Sequence, residues 1–316
     1  MARIKKAVAI LVLIFIIGSI GGGVYMLNFA LTPTNRGKNE PSSLLDMYKR
    51  YPFITGWMAN LKKTSALKDT LIYNDQGIKL HAYFVQAPRP TRKTAVIVHG
   101  YTDNAIRMMH IGYLYQHDMG YNILLPDLQY HGRSGGKAIQ MGWKDRLDVE
   151  RWINVARAIF GGKADSTTIV VHGISMGAAT TMCVSGDKLP SNVKCFVEDC
   201  GYTSVWDEFS GEIKNQFGLP EFPILYSANM LCDLYYKWSF CEASPLKQIK
   251  KCTKPMLFIH GDKDTFVPVS MVFPLYNAKP GTKEIWICHG AVHARSYLVN
   301  RKEYTFRVKK FTQEFM

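Results

Sequence analysis

The sequence predicts an α/β fold, a mostly parallel central sheet with helices on both faces, and three observations carry that reading. Six short runs, at 94–98, 122–125, 168–171, 193–197, 256–259 and 284–287, are near-continuously apolar, as strands buried on both faces are. Stretches of helical character lie between them at 105–119, 143–160 and 175–185, and strands alternating with helices build a sheet covered on both sides. One run ends abruptly in Gly173-Ile174-Ser175-Met176-Gly177 and is followed by small, helix-compatible residues. That succession reads as strand, sharp turn and helix.

The amino terminus is of another kind. Arg3, Lys5 and Lys6 precede an uncharged run over 7–31, long enough to cross about 30 Å of hydrocarbon at about 1.5 Å per residue. The run is longer than the apolar part of a signal peptide and no Ala-x-Ala-like site follows it, so it reads as an uncleaved anchor. The basic residues ahead of it favour a cytoplasmic amino terminus with the main domain outside, although Arg36 and Lys38 dilute that bias. Gly18 and Gly22 read as a small-residue patch in a single span rather than a helix-pairing seam. The expected organisation is therefore a stub and anchor over 1–31, a tether and packing helix over 32–66, and the main domain over 67–316.

In chain order, 42–61 looks helical with interruptions near Pro52 and Gly56, and its Leu44, Leu45, Met47, Tyr48, Phe53 and Trp57 are expected to pack on the main domain. The alternating runs 69–73 and 78–85 flank Asn74-Asp75-Gln76-Gly77, a hairpin signal. Helix 143–160 gathers Leu147, Trp152, Ile153, Val155, Ala156 and Ile159 on one side. Between Cys200 and Pro245 the alternation stops, with helices expected from about 202 and over 224–236 and a break between them at 217–223.

A chain of 316 residues with 47% hydrophobic content buries a large core, in one big domain or two modest ones. Its formal charge of +14 comes from scattered Lys and Arg, with no basic block interleaved with aromatics. That pattern points to a membrane-adjacent surface rather than nucleic acid. The seven cysteines, at 183, 195, 200, 232, 241, 252 and 288, form no Cys-x-x-Cys pair or zinc spacing, and their odd number argues against a complete disulfide framework. Cys232 with Cys241 is the one pair considered as a bridge.

Open α/β sheets bind ligands where their strands end, and chemical residues follow these strands: His99, the Asp127 to Ser134 turn, Ser175, Asp199, Asp264 and His293. The pieces His99-Gly100, Asp127 with His131-Gly132-x-Ser134, Gly173-x-Ser175-x-Gly177, His260-Gly261-Asp262-Lys263-Asp264-Thr265-Phe266-Val267-Pro268 and Gly290-Ala291-Val292-His293 stand in that order. In this order they resemble the α/β-hydrolase superfamily from about residue 69 onward. The likeness is nearest to its serine aminopeptidase and acylaminoacyl-peptidase-like branch of esterases and lipases, which includes membrane-anchored members.

A serine hydroxyl becomes a nucleophile when an imidazole takes its proton, and a carboxylate fixes the imidazole's tautomer. Ser175, His293 and Asp264 fit these roles, in the family order of Ser, Asp, His. Asp262 stands two residues from Asp264; the resemblance favours Asp264, in the family's Gly-x-x-Asp-x-x-Val-Pro pattern, and Asp262 reads as structural in the same turn. His289 competes with His293, and the two at that spacing invite a zinc reading, but Gly290 interrupts any helix and the Glu of His-Glu-x-x-His is missing. The resemblance implies that backbone N–H groups of Tyr101 and Met176 form the oxyanion hole, that 202–244 is a short lid, and that His293 opens the last helix. His99 is a lesser candidate for a base, and His131, His172 and His260 read as framework histidines. No cofactor or metal is implied. Few acidic residues lie in the lid segment, so no amine-binding pair is evident. The expected substrate is thus a small-molecule ester or related acyl compound, with a peptidase or acyltransferase as the alternative and a non-catalytic binding protein behind it.

Overall fold

Eight strands form one sheet in the order β1-β2-β4-β3-β5-β6-β7-β8. They are β1 (Lys68–Tyr73), β2 (Lys79–Val85), β3 (Lys93–Val98), β4 (Asn122–Asp127), β5 (Thr168–Ile174), β6 (Val193–Asp199), β7 (Met256–Gly261) and β8 (Lys283–Cys288). The β1–β2 and β2–β4 pairs are antiparallel and the remaining pairs parallel. Asn74 closes the first hairpin, its Oδ1 accepting the amides of Gln76 and Ile78. The computed structural model describes residues 1–34, 36–162 and 165–316.

The helices are α1 (Ala2–Leu31), α2 (Glu40–Arg50), α3 (Thr55–Lys63), α4 (Met109–Tyr113), α5 (Asp145–Gly161), α6 (Met176–Ser185), α7 (Val205–Phe217), α8 (Ile224–Tyr236), α9 (Pro245–Ile249), α10 (Val272–Ala278), α11 (Ser296–Val299) and α12 (Arg301–Phe315). Two compact units result, one of residues 1–33 and 204–244, the other of 34–203 and 245–316.

The larger unit holds the sheet. Alternate strand residues Ala95, Ile97, Val170, Val197, Leu257 and Ile259 join a core with Met47, Met58, Ile111, Tyr304 and Phe311 of the flanking helices. Val96, Val171, Phe196 and Phe258, one step along each strand and so on the opposite face, are buried as well. The helical stretch after residue 42 is broken at a short turn over Pro52–Ile54. Proline lacks the amide a continuing helix needs, whereas Gly56 lies within α3. Met47, Tyr51, Ile54, Met58 and Leu61 are in the core, and the Trp57 indole donates to Gln116 Oε1 at 2.7 Å. Residues expected as one helix over 105–119 instead form a 3₁₀ turn, α4 and a single π turn.

In the smaller unit α1 is long and apolar enough to cross a membrane, with a mean hydropathy of 2.6 over its best window. At roughly 1.5 Å per residue it is about 45 Å long, and most of its large side chains, Ile10 to Ile17 among them, are exposed. Its partner is α8. A Cβ on Gly23 would lie 2.7 Å from the Ser227 Cβ and 2.9 Å from the Ala228 amide, so the glycine permits that approach. Phe29 meets Phe217 edge to face at 5.4 Å. Of the two cysteines considered as a bridge, Cys232 is buried and Cys241 exposed.

Candidate active site

Strand register lines up the chemistry. Val98 of β3 pairs with Gly173 of β5, Ile174 pairs with Asp199 of β6, and Gly261 of β7 pairs with Cys288 of β8. The loops that follow these strands therefore leave from one edge, at the place where β4 and β5 flank β3 on opposite sides. Strand order reverses there, leaving a crevice outside the strand ends.

Ser175 occupies the turn between β5 and α6 with φ +58°, a conformation that costs an L-residue of order 1 kcal/mol or more. The turn is held by the Ser175 amide donating to Asp199 O at 2.8 Å. It is possible only because its neighbours lack side chains. A Cβ on Gly173 would fall 2.0 Å from Gly177 O, and one on Gly177 would fall 2.1 Å from Val98 O.

The Ser175 hydroxyl lies 2.8 Å from His293 Nε2, and His293 Nδ1 lies 2.7 Å from Asp264 Oδ2. The other carboxylate oxygen, Oδ1, accepts the amides of Phe266 and Val267 at 3.0 Å each. His260 Nε2 is 3.5 Å from Oδ2 and donates to Val267 O at 2.9 Å. Burial acts to raise the Asp264 pKa, but hydrogen bonds from His260 and His293 and the charges of the two rings leave it lowered. An ionised carboxylate beside Nδ1 fixes the tautomer with Nδ1–H donating, which turns the Nε2 lone pair to the serine.

The competing residues occupy other places. Asp262 accepts from His289 Nδ1 at 2.6 Å and from the Gly290 amide at 2.7 Å, a separate pair that ties the β8 loop. His99 is fully buried with both nitrogens engaged, Nδ1 donating to Gly100 O and Nε2 accepting the Leu128 amide. His131 accepts the Thr102 amide and donates to Gln129 O, and His172 lies between the hydroxyls of Tyr115 and Tyr304. Metal-ligand atoms of Cys200, Asp264 and His293 lie within 4.8 Å of one another. Both His293 nitrogens are already engaged and burial pushes the Cys200 thiol well up, so no ligand set is free there.

His293 does not open the last helix as the resemblance implied. It lies in the loop ahead of α11, and Ala294, at φ +55°, interrupts helical geometry between them. Asp199 steadies that region from below. It accepts from Ser296 Oγ at 3.2 Å and the Tyr304 hydroxyl at 3.0 Å. Burial pushes its pKa up to about 6 against those two donors. Tyr101 lies in the loop after β3, whose Gly100 would place a Cβ 3.8 Å from Ser175 Oγ. Met176 is the first residue of α6, where amides have no intrahelical partner.

Sequence reasoning did not find the cavity beside these groups. It is about 250 Å³ and carries Tyr101, Ile174, His293, Arg50, Arg107 and Arg295 on its wall, with Asp46 and Asp103. Its charged residues come from α2 and two separate loops, with no local motif to announce them.

A family model described as the alpha/beta hydrolase fold matches residues 94–219. The Bacillus subtilis (strain 168) protein YqkD, itself uncharacterized, is 32% identical over 241 residues, 76% of each chain. Among solved structures, the Pyrococcus furiosus esterase Pf2001 superposes with a TM-score of 0.64 at 24% identity, over 81% of this chain and 94% of that one. Est1E from Butyrivibrio proteoclasticus, solved with ferulic acid, gives 0.59 at 21%, over 78% and 98%. With its sheet order, its strand–turn–helix at Ser175 and a relative this similar, the chain belongs to the α/β-hydrolase fold family.

Proposed function

We propose that the protein is a membrane-anchored serine hydrolase that cleaves an ester or related acyl bond through an acyl-enzyme. The observation that carries this is the unbroken chain from Ser175 Oγ to His293 Nε2 and from Nδ1 to Asp264, at 2.8 and 2.7 Å. Ser175 Oγ attacks the carbonyl carbon as its proton passes to Nε2, and the Asp264 carboxylate stabilises the imidazolium. The tetrahedral oxyanion takes the amides of Met176 and Tyr101, each worth on the order of 3 kcal/mol. Nε2 returns the proton to the departing alcohol oxygen. Water, deprotonated by the same nitrogen, then attacks the acyl carbon and releases the acid with Ser175 restored. No cofactor, metal or nucleic acid enters this scheme.

A peptidase or acyltransferase would use the same three residues. The ester reading is favoured because the two carboxylates on the cavity wall beside His293 are already engaged: Arg107 lies 2.8 Å from Asp46 and 3.8 Å from Asp103, so neither is free for a substrate amine. For α1 we take the anchor reading over a cleaved leader, with the amino terminus cytoplasmic, on its length and basic start. The test is hydrolysis of p-nitrophenyl acyl esters against aminoacyl anilides by the full chain and by Ser175→Ala. Ester turnover that falls at least a thousandfold in the variant supports the proposal, and full turnover by the variant rejects it.

A further inference from the structure

The cavity beside His293 has a character that acyl transfer alone does not require. Met47, Tyr51, Met108 and Ile174 give it apolar walls, and three guanidinium groups reach it, from Arg50, Arg107 and Arg295. Arg107 is committed, paired with Asp46 and close to Asp103. Arg50 and Arg295 are not: among the described residues neither has a carboxylate within ion-pair distance, although the charge of Arg50 acts on Asp103 and that of Arg295 on the Tyr51 phenol. Two arginines thus face a small apolar chamber whose other wall is the catalytic imidazole and the Tyr101 loop.

Its neighbours feel that charge. His110 is stacked flat on Tyr51, with centroids 4.2 Å apart. Burial pushes its pKa down to about 3, and Arg295 and Arg50 push the same way. The ring is neutral, with Nδ1 donating to Arg107 O at 2.8 Å, so it adds no positive charge and competes for no anion. Burial raises the Tyr51 phenol while Arg295 and Arg50 oppose that rise, which keeps the phenol a neutral donor. Asp46 and Asp103 against Arg50, Arg107 and Arg295 leave one net positive charge among the carboxylates and guanidiniums of the wall, and a guanidinium's fixed fork suits a carboxylate.

We propose that this cavity takes an acyl chain ending in a carboxylate, so that half-esters of short dicarboxylic acids are the preferred substrate class of the hydrolase. The scissile carbonyl lies at Ser175 and the oxyanion amides, the methylene stem crosses Met47, Met108 and Ile174, and the far carboxylate meets Arg50 and Arg295. A chamber of about 250 Å³, below the usual range of roughly 300–1,000 Å³ for ligand sites, matches a short chain. The proposal rests on the serine-hydrolase reading given above.

The test compares mono-p-nitrophenyl adipate with p-nitrophenyl hexanoate, which differ at the distal carboxylate, on the full chain in detergent. The expected kcat/KM ratio favours the adipate at least tenfold. It falls at least fivefold in Arg50→Gln/Arg295→Gln, shrinks as salt rises, and is kept by the charge-matched Lys302→Gln on α12. A ratio of one or less in the unaltered protein overturns the proposal, as does a preference untouched by the double substitution. Calorimetric titration of Ser175→Ala with monoethyl adipate separates the two readings. Saturable binding weakened at least fivefold by the arginine substitutions supports the anion site even where no ester is cleaved, in which case the hydrolase reading fails alone. An absence of saturable binding overturns the site even where hexanoate is hydrolysed.

Discussion

Ser175 and His293 are 118 residues apart in sequence and 2.8 Å apart in space. Nothing local brings them together. Ile174 pairs with Asp199, Asp199 accepts from Ser296 and Tyr304, and these bonds fix where the loop carrying His293 ends. The turn at Ser175 and the segment after His293 are therefore both tied to one element, the carboxyl end of β6.

Asp264→Asn is expected to lower kcat for ester hydrolysis by roughly a thousandfold or more, because the amide no longer enforces an Nδ1–H donor on His293. Asp262→Asn, which disturbs only the His289 and Gly290 contacts, is expected to stay within about tenfold of the parent. Steady-state kinetics on the two variants measure the difference. Equal losses would mean the two carboxylates had been assigned wrongly.

Gly177→Ala is expected to cost more than about 3 kcal/mol or to prevent folding, since its Cβ would fall 2.1 Å from Val98 O. Backbone on both sides leaves no side chain to yield. Soluble yield and melting temperature report it, and a variant that melts with the parent would contradict the close packing of α6 on β3.

Asp145 is wholly buried and accepts the Gly142 amide, with its other oxygen unpartnered. Burial pushes its pKa up to about 7, against about 3.9 for an unfolded chain. The folded state thus holds this proton more tightly. Stability linked to the site is complete below about pH 4 and is lost as pH rises through 7. Asp145→Asn, which keeps an acceptor for Gly142 and carries no charge, is expected to melt several degrees above the parent at pH 8 and level with it near pH 4. Thermal melts across that range check the sign, and a gain largest at low pH would reverse it.

The α1 helix is expected to hold the chain in membranes through alkaline carbonate washing, with an intact amino terminus by mass spectrometry. Release into the wash, or a terminus beginning after residue 31, would replace the anchor reading with that of a leader.

The sheet and the strand–turn–helix at Ser175 were legible because their signals are local. Continuous apolar runs mark strands covered on both sides, with the half-exposed β8 the exception, and at Gly173 and Gly177 an added Cβ would fall within 2.0 and 2.1 Å of backbone oxygens. Positions set by tertiary geometry were not legible. The place of His293 in a loop follows from the turn at Ala294, where nothing in the residue type announces φ +55°. The arginine-lined cavity depends on α2 packing against the loop after β3, and that register leaves no trace in either segment.

The most direct test is to treat the full chain with a fluorophosphonate and map the adduct by mass spectrometry. A single phosphonyl group on Ser175, absent from Ser175→Ala and formed far more slowly in His293→Ala, is the expected result. An unreactive Ser175, or an adduct that persists in Ser175→Ala, would contradict the account.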